Sequence, residues 1–293
     1  MRSKLWLIAS ALVVSASTSA EASTMEPFEA SEYCSASNVQ VSTSSIAYSR
    51  GEYGIRWNLD GHIYTTLLIA DLTNYDVSRQ LALAYYSQYP DENADYEATP
   101  VAIKYLLIPW HWRWRNDVTG VLHSLHGGDN TAVAERRDAI SKALSTSIKN
   151  PKQDWLSGLL IHALGDAYAH TANAYGSITE NAYGPWIGHA IPSLLHRNPD
   201  AIRRPLARKK YLGYVTNLYD VLRQDSSSDT EFAKILDFLA GFECKSDNCG
   251  NFHAAYNDSQ SDDAMEDFSK CMELNSRDLK RDEVQSAIDS IPR

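Results

Sequence analysis

The sequence predicts an all-α protein, a bundle of several helices, on three observations. Apolar residues recur at helical spacing in segment after segment. Strand-like alternation is scarce, and clusters such as "DSSSD" and "ECKSDNCGN" punctuate the helical runs. No internal repeat of solenoid length is visible. With 293 residues, 44% of them hydrophobic, the chain has material for a sizeable core.

The elements follow in order. Arg2 and Lys4 precede the apolar run "LWLIASALVVSA" and an Ala20-Glu21-Ala22 site, the tripartite pattern of a cleaved export signal over residues 1–22. That run is too short to span a bilayer. The expected location is therefore secreted or periplasmic, with no transmembrane segment in the mature chain. Residues 23–50, rich in Ser, Thr, Ala and Glu, read as a flexible arm. Residues 51–293 read as one helical domain, with a core over 57–222 and a C-terminal helical extension over 229–293.

Within that domain "GHIYTTLLIADL" places Ile63, Leu67 and Ala70 on one helical face. Asp76 is an N-cap candidate for "VSRQLALAYYSQY", in which Val77, Leu81 and Ala84/Tyr85 recur. Pro90 and Pro100 are expected to bracket a polar connection, followed by the alternating Trp110, Trp112 and Trp114 of "IPWHWRWRNDV". The turn "HGGDN" leads into the amphipathic "NTAVAERRDAISKALSTSI". A further helix is expected from about Pro151 to Ala174, then a Gly/Pro-interrupted loop, "YGPWIGHAIPS". Helical patterning resumes in "KKYLGYVTNLYDVLR", "DTEFAKILDFLAGF" and "RDLKRDEVQSAIDSI".

The helix after Pro151 carries the chemistry. His162, Asp166 and His170 stand at i, i+4 and i+8, and each step of four turns only a little past one revolution. The three share one side of a helix built otherwise of apolar and small residues, and no Lys or Arg occurs over 153–196. Burying such groups unpaired costs about 1–3 kcal/mol each. A metal ion removes the conflict, because neutral imidazole and ionised carboxylate are its ligands. His62, Asp91, His123, His126 and His189 offer the same chemistry, and the surplus over four ligands argues for two or three ions. The predicted fold is thus a multi-helix bundle with a buried metal cluster and a disulfide-tied C-terminal region.

The tie is expected from four cysteines, an even set in an exported chain. The tight "CKSDNC" loop favours Cys244 with Cys249, leaving Cys34 with Cys271, one of three possible connectivities. A formal charge of −10 gives no general electrostatic attraction to nucleic acid or an anionic bilayer. The basic cluster Arg203, Arg204, Arg208, Lys209 and Lys210 reads as a solvated face, with a phosphate-facing rim as the alternative. No G-x-S-x-G elbow is present, which removes the serine hydrolase reading.

The blocks "WNLDGH", "SQYPD", "LHSLH", "IHALGDAYAH" and "GH", in this order from about Trp57 to Leu222, resemble the helical zinc phosphodiesterases. That group comprises zinc-dependent bacterial phospholipase C and the single-strand-specific zinc nucleases. The likeness is greatest to its exported bacterial relatives. The resemblance implies an all-α fold, Zn2+ as cofactor, and hydrolysis of a phosphoester by a metal-activated hydroxide. It implies that His162 and Asp166 are the helical H-x3-D pair, with Asp166 bridging two zincs and placing the hydroxide. Asp91 would be the upstream carboxylate that orients it, and His123 or His126 and His62 further ligands. His170 and His189 would serve another ion, and Glu180 and Asp200 are the candidates for a last acidic ligand. One departure is plain: the early Trp is the mature N-terminus in those enzymes, whereas Trp57 is internal here. The expected function is an exported zinc-dependent phosphodiesterase, the alternative a non-catalytic exported metal-binding module. Acidic charge tilts the expected substrate toward a phospholipid or small phosphoester over nucleic acid. The tryptophans would then meet a lipid interface or stack on a base, or else pack into the core.

Overall fold

The computed structural model describes residues 57–185, 202, 205–241 and 278–292, and over these the protein is an all-α multi-helix bundle. A wide helical segment, Trp57–Tyr64, runs straight into α1, Thr65–Leu72. Next come α2, Val77–Glu92, and α3, Ala98–Lys104, then a 3-10 turn, Pro109–His111, and α4, Trp112–Asp117. A second wide segment, Val118–Leu122, precedes α5, Asn130–Ser147. A 3-10 turn, Pro151–Gln153, opens α6, Asp154–Ala169. Strands β1, Thr171–Ala172, and β2, Asn181–Ala182, form a two-residue antiparallel ladder. Last are α7, Pro205–Leu222, α8, Asp229–Gly241, and α9, Arg281–Asp289. Among the described residues no helix is long and apolar enough to cross a membrane.

The pairing of α2 with α6 organises the bundle, and small residues allow it. A Cβ at Gly158 of α6 would collide with Tyr86 Cβ and lie 2.9 Å from the Tyr86 carbonyl carbon, so only glycine admits this approach. The N-terminal ends of the two helices are clamped by Arg79, whose Nε and Nη2 donate to Asp154 at 2.9 and 2.7 Å. Around this pair α1, α5 and α7 close a core that includes Leu67, Leu83, Ile140, Leu144, Ile161, Leu164, Val215 and Leu218. Asp76 caps α2, accepting the Arg79 amide at 3.1 Å. Asp76→Ala should cost about 1 kcal/mol, the usual worth of an N-cap, read as a lower urea midpoint with unchanged slope.

Several boundaries differ from the sequence expectation, each for a local reason. Pro90 lies inside α2 and does not end it. Near the C-terminal end it forfeits only the bond to Tyr86 O, and Asn93 N–H still reaches Tyr89 O at 3.2 Å. Pro100 sits in the first turn of α3, where amides have no intrahelical partner to lose. The helix expected to Ala174 stops at Ala169. Arg137 Nε claims the Ala167 carbonyl at 3.0 Å, and Tyr183 N–H claims that of His170 at 3.0 Å. Asn173 then turns the chain at φ +64°, a conformation asparagine tolerates. The tryptophans divide: Trp114 is buried, while Trp110 and Trp112 are exposed.

The disulfide-tied C-terminal region is corrected. The structure shows no disulfide among the described residues, and Cys34, Cys244, Cys249 and Cys271 all lie outside them. What ties α9 to the bundle is non-covalent. Tyr96 Oη donates to Leu279 O at 2.6 Å, Leu279 N–H to Tyr89 Oη at 3.0 Å, and Gln285 Nε2 to Asp117 Oδ2 at 3.0 Å. Val284, Ala287 and Ile288 are buried, and the Arg281 guanidinium stacks 4.3 Å over Trp114. Residues 1–50, where the export signal and arm are expected, also lie outside the described residues.

Candidate metal centre

Three spans of chain meet on the inner side of α6. The α1 entry brings His62, the end of α2 brings Asp91, and the turn after Val118–Leu122 brings His123. These converge on His162 and Asp166 of α6. Two overlapping sets, His62/His162/Asp166 and Asp91/His123/His162, each keep their ligand atoms within 4.8 Å of one another. The result is a buried His/Asp cluster able to coordinate a metal ion.

Two imidazoles are held from behind by backbone carbonyls. His162 Nδ1 donates to Ser87 O at 2.9 Å, and His123 Nε2 donates to Tyr96 O at 2.9 Å. The first contact follows from the glycine approach: His162 lies one turn after Gly158, and Ser87 directly follows Tyr86. A carbonyl only accepts, so the outward nitrogens carry the hydrogens and the inward ones present lone pairs. His162 Nε2 and His123 Nδ1 then face each other at 3.1 Å, and lie 3.3 and 3.0 Å from Asp166 Oδ2. Three acceptors this close repel unless a proton or a metal cation sits among them. Orientation of ligand histidines by backbone carbonyls is the usual support of a metal site.

The proton responses report the same demand for positive charge. Burial opposes charge on His162, but Asp166 and Asp91 outweigh it and push its pKa up to about 9. Burial would raise Asp166, yet the surrounding imidazoles of His170, His162 and His123 hold it well below the usual carboxylate range. Burial and the neighbouring His162 lower His62 despite the two carboxylates. A divalent cation competes for a place that attracts a proton so strongly.

The spacing fits a tetrahedral ion. Ligand bonds of about 2.0–2.1 Å put neighbouring donors about 3.3–3.4 Å apart. His123 Nδ1, His162 Nε2 and Asp166 Oδ2 are separated by 3.0–3.3 Å, and Asp91 Oδ1 lies 3.8 and 3.9 Å from the two nitrogens. The opposite carboxylate oxygens face His62: its Nε2 lies 3.4 Å from Asp166 Oδ1 and 3.8 Å from Asp91 Oδ2. The His62 ring stacks on His162 at 4.3 Å, and its buried Nδ1 has no hydrogen-bond partner. Short of good hydrogen bonds on both sides, this imidazole is suited to bind an ion.

The remaining predicted residues fall elsewhere. His126 is not in the cluster: its Nδ1 accepts the Gly128 amide at 3.2 Å, and burial with Arg136 and Arg137 nearby lowers its pKa to about 4. His170 stands at the rim. Its Nδ1 donates to His123 O at 2.8 Å and lies 3.5 Å from Asp166 Oδ2, so it braces the His123 backbone. Glu180 is committed to a different site, accepting from Arg137 at 2.7 and 3.3 Å, Thr171 Oγ1 at 2.9 Å and Gly176 N–H at 2.8 Å. His189 and Asp200 lie outside the described residues, as do Arg203 and Arg204. Of the basic cluster, Lys210 is buried and not a solvated face: its Nζ donates to Thr171 O near Glu180. Sequence reasoning missed the supporting carbonyls of Ser87 and Tyr96. Ser87 opens the "SQYPD" block and Tyr96 lies shortly after it, the one hint the sequence carries.

No family model, curated protein or solved structure matches the chain.

Proposed function

We propose that the protein is an exported zinc-dependent phosphodiesterase, acting on a phospholipid or another small phosphoester. One observation carries the reading: Asp166 and Asp91 each turn one oxygen toward His62 and the other toward the His123/His162 pair. Two carboxylates spanning the same two imidazole sets support a reading of two adjacent cation positions. Adjacent zinc ions supply Lewis acidity for a phosphoryl oxygen and lower the pKa of bound water. Asp166 holds the charge of both positions, and Asp91, with its side chain 24% exposed, is the member that reaches toward solvent. Substrate would approach on that side. The ordered motif likeness to helical zinc phosphodiesterases and the export pattern of residues 1–22 support the same reading.

The second reading, a metal-binding module without turnover, is favoured by the burial of His62, His123, His162, Asp166 and His170. Untagged full-length protein made with zinc supplementation separates the two. Elemental analysis should find about two ions per chain. An aryl phosphodiester, phospholipid vesicles or single-stranded nucleic acid should be cleaved, and a chelator should abolish it. Metal without turnover on any of the three selects the module, and absence of metal above background overturns both.

A further inference from the structure

Five of the nine exposed large hydrophobic side chains among the described residues fall within ten positions, at Ile103, Leu106, Leu107, Trp110 and Trp112. We propose that this segment, the end of α3 and the turn into α4, docks the protein on a zwitterionic lipid surface. The function proposed above does not require such a surface, so the docking claim goes beyond it.

The shape of the patch suits an interface better than a partner's pocket. Its residues are convex tips: Leu107 is 87% exposed, Trp110 80% and Ile103 70%. Trp112 Nε1 donates to Leu106 O at 3.2 Å, which ties the start of α4 back to the preceding turn. Exposed tryptophan and aliphatic side chains beside Lys and Arg match the boundary between headgroups and acyl chains, where indole has an apolar body and a polar N–H. Such a concentration of exposed large apolar side chains within ten positions points to a surface where something binds.

Charge selects the lipid. Residues 98–116 contain no Asp or Glu in a chain of net charge −10. The exposed cations at the rim are paired, Lys104 with Asp95 at 2.6 Å and Arg113 with Asp117 and Asp289 at 3.6 and 3.8 Å. The patch is therefore a nearly neutral apolar cap on an acidic molecule. An anionic bilayer repels the rest of the protein, whereas a zwitterionic one does not. The base of the patch is also rigidly joined to the cluster. Arg115 Nε donates to Ala102 O at 3.1 Å, Trp114 packs edge-on to Tyr96, and Tyr96 O holds His123. The same stretch of chain, from Asp91 to His123, thus carries both the solvent-reaching carboxylate and the docking tips.

Flotation of the full chain with phosphatidylcholine vesicles tests this without reference to turnover. The protein should float with the vesicles in low and high salt alike, because apolar burial is not screened. Leu107→Ala/Trp110→Ala should reduce the bound fraction by about tenfold or more, with unchanged circular dichroism and metal content. Ile178→Ala, at another exposed apolar site, should leave flotation intact. Failure of the wild type to float, or equal flotation of the double variant, overturns the proposal. Binding only to vesicles with added phosphatidylserine and lost in high salt also overturns it, as does a concentration-dependent dimer that the double variant dissolves.

Discussion

Asp166→Asn is expected to lose at least one metal ion per chain and all phosphodiester hydrolysis while keeping its helical content. The substitution preserves size and removes the charge that both proposed cation positions share. Asp166 Oδ1 serves the His62 side and Oδ2 the His123/His162 side, so neither position keeps its carboxylate. Repulsion between two nearby cations is then no longer offset. The fold should survive on the surrounding core, although the variant no longer has the carboxylate that favours a proton on His162. Elemental analysis should show the loss of metal, and the urea midpoint of metal-free protein near neutrality should fall as well, because Asp166 no longer stabilises the charge on His162. A surface aspartate would change stability by no more than about 0.5 kcal/mol and leave metal content alone. Full metal content in the variant would show that Asp166 is not the bridge.

The largest loss of stability is expected at Arg137, away from the cluster. Its guanidinium makes a paired contact with buried Glu180, holds Ala167 O, and lies 4.2 Å over the Tyr168 ring. Arg137→Ala leaves Glu180 with Thr171 Oγ1, Gly176 N–H and the nearby Lys210, and opens a space against Tyr168. Removing one partner of a buried ion pair costs about 3–5 kcal/mol. The pH dependence has a definite sign. Burial would raise the Glu180 carboxyl, but Arg137, Gly176 N–H and Thr171 prevail and hold it below its usual 4.5. A depressed folded value contributes stability that is present in full above the unfolded value, and is lost as pH falls through the folded one. The gap between wild type and Arg137→Ala should thus be widest near neutrality and narrow below about pH 4.5. Urea unfolding at the two pH values measures it. A loss under about 1 kcal/mol at neutral pH would mean the pair contributes little net stability.

Much of the site is legible in the order of residues. The i, i+4, i+8 stripe on a helix without Lys or Arg singles out α6, and the fold gathers His62, Asp91 and His123 around its His162 and Asp166. The "LHSLH" block leaves His123 and His126 equivalent. Backbone geometry separates them: His123 reaches Tyr96 O and the cluster, and His126 folds onto Gly128. Glu180 reads as a spare acidic ligand because a sequence does not show that Arg137 waits beside it. Trp110, Trp112 and Trp114 look alike in the sequence, yet the turn from 3-10 to α-helix sends only Trp114 inward.

Helical class, the Asp76 cap and the polar stripe of α6 were determined by the sequence alone, because each depends on residues within about one turn of one another. Tertiary structure decided which groups meet across helices. Gly158 lets α2 approach so closely that Ser87 O orients His162, and the Asp91–His123 segment folds back so that two carboxylates straddle two sets of imidazoles. Those contacts use backbone carbonyls, which every residue carries, and distances set by packing. Neither leaves a mark in the order of side chains.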